Sequence, residues 1–233
     1  MTSIIHIAGY KFITLENLST WKSTFLEQCQ ALRGTILLSH EGINVNIAGF
    51  KADILAFREM LLARQEFLDM TFHETHTEKM PYQRMKVKLK KEIIAFRKRN
   101  IDPEKNRAPH ISAEELKKWL DENRDFTLLD TRNTYEIEHG TFTKATNLNI
   151  SDFSEFCDKS KQLDPNKIVV MYCTGGIRCE KAGIYLKNEG FQQVYQLDGG
   201  ILKYFKDVGQ SHFEGKCFVF DERIALNINL LEG

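Results

Sequence analysis

The sequence predicts a two-domain α/β protein, and three observations predict it. Over residues 1–99, short runs of alternating apolar and polar residues surround two helical stretches, in an order close to β-α-β-β-α-β with one strand added. From Ser112 to about Phe205, strand and helix signals alternate one for one, as a parallel sheet flanked by helices requires. Between the two, residues 100–109 hold Pro103 and Pro109 among charged and polar neighbours and read as a linker. A chain of 233 residues with 42% hydrophobic content can bury a core in each part. The expected division is a basic domain at 1–99, a linker at 100–111, a second domain with its C-terminal extension at 112–226, and a tail at 227–233.

Taken in order, residues 4–13 read as a strand, 17–33 as a helix, and 34–39 and 43–48 as strands. Residues 50–64 read as a helix, followed by strands at about 70–75 and 84–94. That order fits a ferredoxin-like α+β layer. Ser112 followed by Glu115 has capping-box spacing and opens a helix through Leu120. Ile168-Val169-Val170-Met171-Tyr172 is a run of five β-prone apolar residues, the mark of a buried strand.

That strand leads into Cys173-Thr174-Gly175-Gly176-Ile177-Arg178, the most informative segment of the chain. Behind it, residues 180–187 have helical spacing and stop near Gly190. A thiol delivered by a strand to a glycine-bearing loop meets converging backbone N–H groups and the positive end of the following helix. With Arg178 nearby, these lower a thiol pKa and favour the nucleophilic thiolate. The plain alternative is a small buried hydrophobe, the usual role of an intracellular cysteine. Placement at the carboxyl end of a parallel strand, where open sheets bind ligands, favours the reactive reading. Four residues separate Cys173 from Arg178, one fewer than in cysteine-dependent phosphatases, and the shorter cradle suits a single terminal sulfur.

The segment resembles the active-site loop of rhodanese domains, whose cysteine carries a persulfide. Leu128-Leu129-Asp130-Thr131-Arg132, with Tyr135-Glu136 and Gly140-Thr141-Phe142, resembles the opening motif of such a domain. Leu197-Asp198-Gly199-Gly200-Ile201, with Tyr204, resembles its closing motif. The second domain is therefore expected to be rhodanese-like. On chemistry alone, Asp130 and Arg132 read as a framework ion pair, and Gly199 and Gly200 as turn residues needing positive φ.

A formal charge of zero conceals an asymmetry, because residues 1–107 carry a net +5 and the remainder a net −5. Eight basic residues and one acid, Glu92, fall between Arg84 and Arg99. Alternation over 84–91 sends Met85, Val87 and Leu89 to one face and Arg84, Lys86, Lys88 and Lys90 to the other. Such a face is either a nucleic-acid footprint or a row of lysines guarding a sheet edge. Five cysteines form an odd, unpatterned set, no apolar run reaches membrane length, and no secretory signal opens the chain; a reducing cytoplasm fits best. His73-Glu74-Thr75-His76 is not a metal motif, since residues three apart on a strand face opposite sides. His40 and Glu41 read as ordinary loop residues.

Four segments extend the resemblance to a narrower family. They are Ser39-His40-Glu41-Gly42-Ile43-Asn44, residues 81–93, residues 173–182, and residues 215–223, which end in Asp221-Glu222-Arg223. Together they resemble the rhodanese-domain family of bacterial tRNA uridine hydroxylases. The resemblance implies oxygen-dependent hydroxylation of the wobble uridine, tRNA position 34, to 5-hydroxyuridine. It implies tRNA as partner, molecular oxygen as co-substrate and a persulfide-forming Cys173, while no flavin or metal site is evident from the residues. On the residues themselves, Arg178 would orient the loop or hold an anionic group, and Cys179 is either a resolving thiol for an oxidised Cys173 or a buried cysteine at the helix start. Larger relatives continue into a cysteine-rich tail, whereas this sequence ends eight residues after Ala225. Two other function classes remain open on the residues: a sulfurtransferase working through Cys173, and a non-catalytic RNA-binding adaptor using the basic strand.

Overall fold

In the computed structural model, which describes residues 4–232, the first seven elements follow the expected order. They are β1 (Ile4–Phe12), α1 (Leu18–Gln28), β2 (Arg33–Ser39), β3 (Gly42–Phe50), α2 (Lys51–Leu62), β4 (His73–Thr77) and β5 (Met85–Leu89). The sheet order is β4-β1-β3-β2-β5, with β5 parallel to β2 and the other pairs antiparallel. This is the ferredoxin-like layer with its extra strand at one edge. Alternate residues of β2 and β3 (Ile36, Leu38, Val45, Ile47) are buried together with Phe25 of α1 and Ile54, Phe57 and Leu61 of α2. A period of two in the strands and of three to four in the helices has thus selected one shared core.

Three boundaries differ from expectation. Helix α1 ends at Gln28 because Cys29 and Leu32 turn into the core, with Leu32 N–H donating to the Cys29 carbonyl. The strand expected near 70 begins at His73, since Met70 closes a turn onto the Phe67 carbonyl. Strand β5 stops at Leu89, and the backbone at Ile93 is satisfied by side chains instead. Its N–H donates to Glu41 Oε1 (2.7 Å) and its carbonyl accepts from Asn44 Nδ2 (3.3 Å).

This first unit comprises Met1–Ile93 together with Asp221–Arg223. The returning segment is held by buried polar contacts. Arg223 donates to Asp221 (2.8 and 2.6 Å) and to Thr75 Oγ1 (2.8 Å), while His6 bonds the Tyr82 hydroxyl (3.0 Å). Burial first, and then the Arg223 charge, hold His6 down to about 3 against the opposing pull of Asp221, so the imidazole is neutral here.

The second unit, Ile94–Phe220 with Ile224–Gly233, carries β6 (His110–Ile111), α3 (Ala113–Asp121), β7 (Thr127–Asp130), α4 (Thr134–Ile137), β8 (Gly140–Phe142) and β9 (Ala145–Asn147). There follow α5 (Phe156–Lys159), β10 (Val169–Tyr172), α6 (Ile177–Asn188), β11 (Val194–Leu197), α7 (Gly200–Val208), β12 (Phe213–Gly215), β13 (Cys217–Phe218) and β14 (Ala225–Leu226). Its main sheet is parallel, in the order β6-β11-β10-β7-β9, with β10 in the middle. One face packs on Phe156, Ala182 and Leu186, the other on Leu116, Ile201 and Phe205, so helices cover both sides. At the start of α3, Ser112 Oγ accepts from Glu115 N–H (3.2 Å) as the capping box requires, but Glu115 Oε1 accepts from Trp119 Nε1 (2.6 Å). No helix among the described residues is long and apolar enough to cross a membrane.

Residues 94–109 lie against this second unit. Phe96 is buried within 5.1–6.1 Å of the rings of Phe153, Phe156 and Tyr185, and Gln196 bonds the carbonyls of Ala108 and Pro109. Proline and charge signal a linker over residues 100–111 and leave residues 94–99 with the first domain, whereas buried Phe96 and Ala108 anchor the stretch within the second unit. Phe96→Ala is expected to destabilise the second unit by about 3–5 kcal/mol in urea unfolding, the usual cost of emptying a buried aromatic site. A loss near zero would mean that this segment is not docked.

Candidate active site

Strand β10 is buried along its whole length and delivers Cys173 to the carboxyl edge of the sheet, between β7 and β11. Two sets of backbone groups then shape the loop. The carbonyls of Cys173 and Thr174 turn outward and accept from Ile201 N–H (3.0 Å) and Leu202 N–H (3.1 Å) in the first turn of α7. With the carbonyls so committed, the N–H of Gly176 points inward and donates to Cys173 Sγ at 3.1 Å. Two glycines permit this. Gly176 has φ 99° at the head of α6, and a Cβ at Gly200 (φ 63°) would stand 2.4 Å from the Cys173 carbonyl oxygen. The closing motif is therefore a steric condition on the loop.

Arg178, in the first turn of α6, is 4% exposed, and Glu136 is wholly buried. The guanidinium meets the carboxylate through both Nη atoms (2.5 and 2.8 Å), and Glu136 Oε2 also accepts the Asn133 N–H (3.0 Å). Of the two roles expected for Arg178, orientation of the loop is the one its contacts serve. Fixed by the carboxylate, the guanidinium also lies close enough to Cys173 to interact with its sulfur.

Burial opposes ionisation of Cys173, but it is outweighed. A hydrogen bond from Cys179, the Arg178 charge, and the N–H groups of Arg178 and Gly176 bring the thiol down to about 5. Cys179, equally buried, moves the other way through burial and its contact with Cys173, and Thr131 Oγ1 lies 3.6 Å from its sulfur. At neutral pH Cys173 is a thiolate that accepts a hydrogen bond from the Cys179 thiol, which keeps its proton. Burial pushes Cys29 and Cys217 up to about 12 and Cys157 to about 11, so Cys173 alone of the five cysteines is activated. All five are free thiols.

Asp130 and Arg132 form the expected framework pair. Both are fully buried, 2.7 Å apart, and Arg132 also donates to the Gly140 carbonyl (2.7 Å), joining the ends of β7 and β8.

Residues 4–93 match the family described as the UPF0176 acylphosphatase like domain, and residues 112–207 match the rhodanese-like domain. The tRNA uridine(34) hydroxylase of Paraburkholderia xenovorans is 46% identical over 242 residues, spanning 98% of this chain and 84% of that protein. The chain belongs to the tRNA uridine(34) hydroxylase family. The hydroxylase of Cupriavidus necator is 47% identical over 237 residues, with 97% and 84% of the two chains covered. The rhodanese-like domain of an Anabaena protein, solved by NMR, is 28% identical over 46% of this chain and 79% of its own, with a TM-score of 0.40.

In this hydroxylase family member the basic residues lie on and beside β5, the edge strand of the first unit. Arg84, Lys88 and Lys90 are exposed and Lys86 is half-buried. The expected two-faced alternation fades at its end. Val87 is 6% exposed but Leu89 is 42%, because an edge strand has a neighbour on one side only. His40 and Glu41 tie the β2–β3 turn to the Leu15 carbonyl and the Ile93 N–H. His73 and His76 occupy opposite sides of β4, where His76 approaches Glu74 (3.6 Å).

Glu136 as the partner of Arg178 and the N–H groups of α7 are parts of the site beyond those expected from the sequence. Asn133-Thr134-Tyr135-Glu136 has capping-box spacing, a signal that this acid points back along its own helix. Nothing in the sequence placed Arg178 within its reach.

Ultraviolet titration of thiolate absorbance is expected to show one group with a midpoint near 5, absent in Cys173→Ser. A first transition only at about 8.5, the ordinary cysteine value, would contradict the loop's effect on the sulfur. Glu136→Ala strands a buried guanidinium and is expected to cost about 3–5 kcal/mol in denaturant unfolding. A loss below about 1 kcal/mol, as exposed pairs give, would show that the clamp is not closed in solution.

Proposed function

We propose that this protein hydroxylates the wobble uridine of tRNA, position 34, to 5-hydroxyuridine, with Cys173 as its reactive thiolate. The observation that carries the reading is similarity along nearly the whole chain to proteins named tRNA uridine(34) hydroxylase, in a chain whose loop activates one cysteine of five. Molecular oxygen is the co-substrate in this reading, and tRNA in the cytoplasm is the partner. Cys173 holds the nucleophilic sulfur, and the backbone of Thr174, Gly175, Gly176 and Ile177 forms the cradle. Arg178, fixed by Glu136, supplies the positive charge. Arg84, Lys86, Lys88 and Lys90 are a phosphate-contacting surface.

Cys179 serves in this reading as the resolving thiol. If peroxide converts the Cys173 thiolate to a sulfenic acid, the Cys179 sulfur displaces its hydroxyl, forming a disulfide and releasing water. Cys179→Ser then retains activity under reducing conditions and loses it to peroxide faster than the unmodified protein does. Equal inactivation would remove that role.

A sulfurtransferase reading is favoured by the same cradle, since an N–H aimed at a single sulfur also suits a persulfide. It leaves the basic strand without a task. Nucleoside mass spectrometry of tRNA separates the two readings. Cells lacking the gene should recover 5-hydroxyuridine-derived nucleosides with the wild type and not with Cys173→Ala. If neither protein changes these nucleosides while cyanide and thiosulfate assays show turnover, the sulfurtransferase reading stands instead. For the RNA surface, the paired change Lys86→Glu and Lys88→Glu is expected to weaken tRNA binding and flatten the slope of log affinity against log salt by about two. An unchanged slope would place the RNA elsewhere.

A further inference from the structure

We propose that Phe220, supported by Phe218 and Tyr135, is a stacking platform that receives an unpaired nucleobase of the RNA beside the Cys173 loop. The inference rests on the tRNA-modifying reading above and names a binding element for it. A single exposed phenylalanine is ordinary on a protein surface. Here three rings form a row: Tyr135 meets Phe218 at 5.4 Å and 83°, and Phe218 meets Phe220 at 5.2 Å and 88°. His139 adds a fourth ring at 5.3 Å from Phe218. Edge-to-face contacts hold the rings in place, so little side-chain entropy remains to be lost when a ligand lands on them. Yet Phe220 is 60% exposed and Tyr135 43%, which leaves apolar ring surface facing solvent.

Two contacts tie this row to the reactive loop. The Phe218 carbonyl accepts from Thr174 Oγ1 (3.4 Å), the residue after the thiol, and the Arg178 guanidinium carbon sits 5.9 Å from the centre of the Phe220 ring. Tyr135 is moreover the neighbour of Glu136, which holds Arg178. One arginine thus supports both the thiolate and the underside of the exposed ring. A planar, neutral ligand with a π-face fits such a surface. RNA loops present unstacked bases of that kind, which proteins commonly recognise by stacking them on aromatic rings. A base seated on Phe220 would be positioned next to the loop that bears Cys173.

The test compares anticodon stem-loop RNA carrying uridine at position 34 with the same RNA abasic at that position. Phe220→Leu keeps an apolar side chain over Arg178 but removes the aromatic face, and thermal melting checks that the variant is folded. Wild-type protein should bind the uridine form about ten-fold or more tightly than the abasic form, the range expected for one stacked base. Phe220→Leu should lose that preference and raise KM for tRNA with a smaller effect on kcat, and Phe220→Trp should recover both. Wild-type and Phe220→Leu proteins with the same preference and the same KM would overturn the platform while leaving the hydroxylase reading intact. Wild-type protein that forms no 5-hydroxyuridine would overturn both.

Discussion

A guanidinium removed from water without a partner costs about 3–5 kcal/mol, and Arg178 is almost wholly removed from water. Its two-pronged contact with Glu136 makes the reactive loop possible. The acid fixes the first turn of α6, which aims the Gly176 N–H and the Arg178 charge at the Cys173 sulfur. The same pair leaves a net requirement. A cation balanced by one carboxylate and facing a second potential anion favours the thiolate over the thiol, in a place where burial alone would do the reverse.

The second constraint is steric and acts through backbone. The loop has its N–H groups turned toward the sulfur only because its carbonyls find donors in α7, and α7 can approach only because Gly200 lacks a Cβ. Strand end, loop, α6 and α7 are therefore one device, assembled from segments that the sequence keeps far apart. Cys29, Cys157 and Cys217 are buried without this device, and their thiols are pushed upward. The contrast isolates what the loop contributes.

Much of this was legible in the sequence, for identifiable reasons. The strand before Cys173, the helix after it and the glycines of the closing motif follow from local pattern, and local pattern is what alternation and turn chemistry report. Glu136 as the partner of Arg178 was not legible, because 42 residues separate the two and no periodicity links them. The attachment of residues 94–109 to the second unit, rather than a first domain running to 99 and a linker from 100, was not legible for a related reason. Prolines and charges dominate the composition, whereas Phe96 and Ala108 determine where the segment lies. Asp221-Glu222-Arg223 was visible as a motif, but its attachment to Thr75 in the first unit needed the fold. The basic strand was found correctly as a strand, and its edge position explains why its apolar face is incomplete.

The central claim is that a preformed thiolate at Cys173 carries the reaction on uridine. The most direct measurement is the pH dependence of 5-hydroxyuridine formation by purified protein on unmodified tRNA, beside Cys173→Ser. The account predicts that the rate rises through about pH 5, the value to which the loop brings Cys173, and is level at neutrality, with no product from the serine variant. Product formed equally well by Cys173→Ser, or a rate that rises only through about 8.5 as for an ordinary thiol, would contradict it.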